Sequence, residues 1–149
     1  MGWTIASAIL TAISIIFSII SIIQAKKAKQ YKDEVINLKY AIEVKGITDK
    51  FTDAHLKFLQ ETRSENWNKG KNINSVIAPM ESALTAVAKV YPLMDDAREL
   101  KRKVHKISVL IRRFDECNKI EKKDTFEELG EIDNILQEVL HEQTAKAVK

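Results

Sequence analysis

The sequence predicts an all-α protein: a single amino-terminal transmembrane helix that continues into a stalk, then an antiparallel cytoplasmic bundle of four or five helices. Three observations carry this. All 24 basic and 21 acidic residues lie from Lys26 onward. Beyond that point apolar residues recur at helical steps of three and four. No stretch alternates with a period of two, so strands are not expected.

The first element is the uncharged run. Trp3 to Ile23 is 21 residues of Ile, Ala, Ser, Thr, Leu, Phe and Trp. As a helix it would be roughly 32 Å long, close to the thickness of a bilayer's hydrocarbon core. A cleaved signal peptide is the main competitor, but a basic n-region is missing, the apolar part is too long, and Lys26 and Lys27 follow without a small-residue cleavage site; a buried core helix is the other alternative. Lys26, Lys27, Lys29 and Lys32 directly after the run place the carboxyl-terminal part in the cytoplasm and the amino terminus outside the inner membrane. The lone Cys117 makes no internal disulfide and suits a reducing compartment.

Residues 26–46 read as a helical stalk, because good helix formers run uninterrupted from the membrane segment to Gly46. Tyr31, Val35, Leu38 and Ile42 give it an apolar stripe that has to be buried, against other helices of the chain or against another subunit. Residues 47–149 read as the bundle. Thr48 or Asp49 can cap its first helix, whose inner face is Phe51, Ala54, Phe58, Leu59 and Thr62. The helix should end near Glu65, where NWNKGKNIN, rich in Asn, makes the one substantial loop.

Ile73, Ile77, Met80, Leu84, Val87 and Tyr91 mark the next helix, with Pro79 tolerable in a first turn or at a kink and Pro92 a boundary. Leu93, Ala97, Leu100, Val104, Ile107, Ile111 and Phe114 mark a long core-facing helix. Phe126, Leu129, Ile132, Leu136, Val139 and Leu140 mark a last one, from about Asp124. The net charge of +3 is too small to imply nucleic-acid binding. Its distribution is uneven, with ten basic and six acidic residues in 95–123 and two basic and seven acidic in 124–149. Two neighbouring helices that neutralise each other account for this, and a basic partner surface is the alternative.

Every Ser and Thr of the apolar run falls at Thr4, Ser7, Thr11, Ser14, Ser18 or Ser21. On a helix these share an arc of about 100°. Lipid offers nothing to a hydroxyl, whereas small polar side chains let helices approach and bond across a seam, at ~0.6 kcal/mol each. One membrane helix per chain makes the partner another copy, so a homo-oligomer is expected. Three arrangements fit the stripe: a dry seam, the lining of a wet channel, or hydroxyls bonded back to their own helix's i−4 carbonyls. Lys29 and Lys32 continue the same face, to sit at a channel's cytoplasmic mouth or among anionic lipid headgroups.

Catalytic signals are sparse. Arg98 and His105 lie two helical turns apart on one side of the long helix, a spacing that permits joint action on a phosphodiester. A solvated Arg and a partly packed His are the plainer account. Lys69 and Lys71 beside Trp67 offer phosphate contacts and a stacking ring for RNA, against Trp67 tucked onto the bundle. Phe58, Trp67, Tyr91 and Phe114 read as core. His55, His105 and His141 are far apart, so no metal or other cofactor is expected.

The succession SIIFSIISIIQAKKAKQYKDEV, RSENWNKGKNINSVIAPM and an all-helical end resembles small bacterial membrane-anchored antiviral proteins. The family it is most similar to is the membrane accessory proteins of type VI-B CRISPR systems, which have a divergent HEPN-like helical domain. The resemblance is one of layout across the whole chain. It implies a ring-shaped oligomer that forms a membrane pore and strengthens an RNA-guided RNase, with RNA or that nuclease complex as the trigger. HEPN ribonucleases pair an Arg with a nearby His, usually with a polar residue after the Arg. Arg98 and His105 match the loosest such spacing, and Glu99 follows. The sequence thus points to a non-enzymatic membrane effector, with a membrane-tethered RNase or a passive scaffold as alternatives.

Overall fold

The computed structural model describes residues 2–70 and 72–148, with side chains for 7–70 and 72–148. Four α-helices follow one another: α1 (Gly2–Thr62), α2 (Ile73–Val87), α3 (Arg98–Arg112) and α4 (Lys119–Ala147). Short 3-10 turns at Ala88–Leu93 and Phe114–Glu116 flank α3. Among the described residues there is no strand.

Helix α1 is a single rod of 61 residues, roughly 90 Å long. It passes straight through Gly46, where the sequence predicted a stop, and neither Thr48 nor Asp49 caps a new helix. A helical glycine costs only about 1 kcal/mol relative to alanine. That cost is outweighed because an unbroken register keeps Val44, Ile47 and Phe51 on the face that the bundle buries. Thr48 is buried inside the helix, and Asp49 pairs one turn back with Lys45 at 2.6 Å.

Past Thr62 the chain turns through Ser64 to Gly70, with Trp67 N–H donating to the Ser64 carbonyl at 3.1 Å. Gly70 has φ +73°, in the left-handed region that glycine enters without a Cβ clash. Asn72 then caps α2 by accepting from the Asn74 N–H. Pro79 lies beyond the first turn of α2. The Ser75 carbonyl it cannot bond belongs to an exposed residue, so the lost bond is not one of the core. Helix α4 begins at Lys119, earlier than the expected Asp124. Asn118 and Glu121 form a reciprocal capping box there, at 2.9 and 3.1 Å.

The pairing directions are antiparallel. As the chain advances through Asn37, Thr52 and Glu65, its partners on α4 run back through Lys146, Asp133 and Lys119. Lys103, Lys106 and Arg113 likewise meet Glu131, Glu128 and Glu121 in descending order. The acidic last helix does lie beside the basic one. Phe114 is fully buried at the centre of an aromatic cluster, with Phe58, Trp67 and Phe126 rings 4.9, 5.7 and 5.7 Å away. Leu100, Ile107 and Ile111 of α3 and Leu129, Ile132 and Leu136 of α4 are buried as their spacing predicted. Tyr91, expected in the core, is only partly buried.

The stalk stripe faces away from all of this. Tyr31, Val35, Leu38 and Ile42 are between 52% and 66% exposed. They lie about 150° around α1 from the residues that meet the bundle. Of the two partners the sequence allowed, the chain's own bundle is thereby excluded.

Candidate functional site

Helix α1 is long and apolar enough to cross a membrane, with a mean hydropathy of 2.3 over its most apolar stretch, none of which is buried in the chain. Ile9, Leu10, Ile13, Ile16, Phe17 and Ile20 all point outward. Leu and Ile do not stand in water around an entire helix, so this stretch requires a covering that the bundle does not supply.

Within it, Thr11 donates to the Ser7 carbonyl at 2.8 Å, Ser14 to Leu10 at 2.9 Å and Ser18 to Ser14 at 2.9 Å. The back-bonded geometry anticipated as one of three arrangements is therefore the one these side chains adopt within a single chain. A hydroxyl used this way keeps its oxygen lone pairs, so it can still accept from a neighbouring helix. Ser21 is exposed on the same face. The side chain of Thr4 lies outside the described residues.

Lys26, Lys27, Lys29 and Lys32 ring the end of this stretch, all exposed. The fold adds a cation that sequence reasoning missed. The end of α4 is laid against the stalk, where the Asn37 amide donates to the Lys146 carbonyl at 3.4 Å. Lys26, Lys29, Asn37 and Lys146 line one open cleft, with Asp33 and Glu34 beside them.

The Arg98 and His105 pair is not brought together. Both are exposed on α3, their backbones about 10 Å apart along the axis. The Arg98 guanidinium is held by Asp96, Nε to Oδ1 at 3.0 Å and a terminal nitrogen to Oδ2 at 2.7 Å. Those hydrogen bonds bring the Asp96 carboxyl down to about 2. The loop does not offer a stacking ring either: Trp67 is buried against Phe114, while Lys69 is exposed and Lys71 lies outside the described residues.

Two buried ionisable side chains, His55 and Lys103, were given no role from sequence. His55 of α1 sits with Nδ1 3.7 Å from Asp133 of α4, and burial lowers its pKa from 6.5 against the opposing pull of that carboxylate. Thr52 donates to the other Asp133 oxygen at 2.7 Å. The hydroxyl thus bonds the carboxylate and not the imidazole, which is a clamp between two helices rather than a base-activated nucleophile. The signal was present, since His55 interrupts the series Phe51, Phe58, Thr62 one turn after Phe51.

Lys103 is the second, buried on α3 with its ammonium between Glu128, at 2.9 Å, and Glu131. Matching three-residue steps, Lys103 to Lys106 and Glu128 to Glu131, carried that signal. Cys117 is buried, and burial raises its thiol pKa, which makes it a poor nucleophile. No group of three His, Cys, Asp or Glu residues suited to a metal occurs among the described residues. Comparison with protein-family models, with characterised proteins and with solved structures gives no match to this chain.

Proposed function

We propose that this chain is a single-pass inner-membrane effector that self-associates through the hydroxyl face of its membrane helix and permeabilises the bilayer when its cytoplasmic bundle is engaged. The observation that carries the reading is the uninterrupted rod from Gly2 to Thr62. A passive tether needs only a flexible link. Here the striped apolar stretch and the inner face of the bundle are parts of one helix, which gives a torque or shift applied to the bundle a continuous path to the bilayer. The lysine collar and Lys146 set the depth at which the rod leaves the headgroups. A role in antiviral defence, with RNA or an RNA-guided nuclease complex as the trigger, follows from the layout resemblance.

The test is dye leakage or membrane depolarisation on expression in bacteria. Leakage should be lost on changing Ser14 and Ser18 together to Leu, which keeps the helix apolar while removing its polar face, and retained on changing His105 to Ala. The reverse pattern would support a tethered RNase acting through Arg98 and His105. A chain that stays monomeric at every detergent concentration would remove self-association altogether.

A further inference from the structure

Beyond the apolar stretch, one apolar surface of α1 has no partner among the described residues, and its pattern identifies the partner. Because α1 is unbroken, a single register runs from the membrane stretch into the stalk. Every seventh residue along it forms one column: Ser7, Ser14, Ser21, Ala28, Val35, Ile42. The column is small from Ser7 to Ala28 and β-branched at Val35 and Ile42. Tyr31 and Leu38 alternate with it at the complementary core positions, and Lys45 and Asp49 close it with charges.

We infer that two copies of this chain pair through the Tyr31, Val35, Leu38 and Ile42 face as a parallel, in-register, two-stranded coiled coil directly above the membrane. The inference rests on the self-association proposed above and adds its stoichiometry and register. Val35 and Ile42 in one core column with Leu38 between them in the other favour two strands over three or four. A shared membrane orientation fixes the helices parallel. In that register Glu34 of one copy faces Lys39 of the other across the edge of the seam, an opposite-charge pair that also disfavours a shifted alignment. Lys27 would face Lys32 in the same way, but at headgroup level, where anionic lipid neutralises both.

The bundle lies on the other side of α1, and the end of α4 is already docked there at Asn37, so neither obstructs the approach nor covers the stripe. Pairing places Ser7, Ser14 and Ser21 in the seam and leaves Thr11 and Ser18 at its edge, free to meet a second pair. A pore is then assembled from pairs.

Disulfide trapping of the full-length chain in bacterial membranes tests this, in a Cys117→Ser background. Val35→Cys and Ile42→Cys should give at least about tenfold more cross-linked dimer than Glu43→Cys, since facing core positions bring the sulfurs within bonding reach. The chain carrying both Val35→Cys and Ile42→Cys should stop at dimer, because both bonds join the same two copies. Glu34→Lys should reduce trapping, and adding Lys39→Glu should restore it; Lys39 is exposed and Glu34 is half-buried at the rim of the α4 cleft, both outside the hydrophobic core.

A ladder of larger species from the double-cysteine chain overturns the two-stranded stalk. Equal or absent trapping at all three positions overturns the interface, as does a product containing a different protein. If leakage still depends on Ser14 and Ser18 in that last case, the bilayer reading stands while the stalk inference falls.

Discussion

Phe17 and Phe51 belong to the same helix and to the same residue type, yet one is 65% exposed and the other fully buried. Between nine and ten helical turns, at about 3.6 residues each, separate two solvation regimes. Around Phe17 every face of the rod is apolar or a back-bonded hydroxyl, and no described part of the chain covers it. Around Phe51 only one face is apolar, and α2 and α4 cover it. The comparison teaches that α1 is one element mechanically and two chemically. Its lower half specifies an environment and its upper half a fold.

The sharpest way to break this comparison is to truncate both rings. Phe51→Ala should destabilise the bundle by about 3–5 kcal/mol, read by denaturant unfolding with Trp67 emission in a Trp3→Phe background. Phe17→Ala should leave that unfolding curve in place. Equal effects would mean that the two halves do not fold separately.

Lys103→Ala comes next, at about 2 kcal/mol in the same assay, because it leaves Glu131 and part of Glu128 without their cation in a partly buried site. Hydrogen bonds from Lys106 and Lys103 hold the Glu128 carboxyl below its ordinary 4.5. Its contribution is therefore full above that pH and is lost as pH falls through the lowered value. Lys103 is held above its ordinary 10.5. Its contribution is full below that pH and fades as pH rises through the raised value.

His55 sharpens the upper half further. Its pKa in the fold lies below 6.5, so the unfolded chain binds the proton first as the solution is acidified. Stability should fall from pH 6.5 downward, by at most about 1.4 kcal/mol per pH unit. His55→Phe should flatten the profile in that window, measured as the denaturation midpoint against pH.

The smallest effect is a gain. Gly46→Ala, whose added Cβ would meet nothing within 4 Å, should stabilise by about 0.5–1 kcal/mol. Because it stiffens the junction of the two halves, it also tests whether leakage depends on a rigid rod: activity should be retained.

Much of the fold was legible. The stripes on α3 and α4 named Leu100, Ile107, Ile111, Leu129, Ile132 and Leu136 correctly, because long helices with charged outer faces leave a single apolar side to bury. The junction at Gly46 was misread, since glycine's local preference for a helix end is worth less than the packing gained by continuing. Lys103 escaped notice because a lysine belongs in the core only where two carboxylates come from another helix, and that convergence is a tertiary fact. The hydroxyl face was legible as a pattern, and Lys146 at the collar was not, for the same reason.

The sequence by itself determined how the chain divides between an apolar stretch and a charged one, and the helical character of both, since composition and periodicity depend on near neighbours alone. Only the tertiary structure decided which of two apolar sides of α1 turned inward. Tyr31, Val35, Leu38 and Ile42 satisfy helical spacing as well as Val44, Ile47, Phe51 and Phe58 do. Periodicity defines a face without naming what covers it, and the choice fell to the surfaces that α2 and α4 could reach.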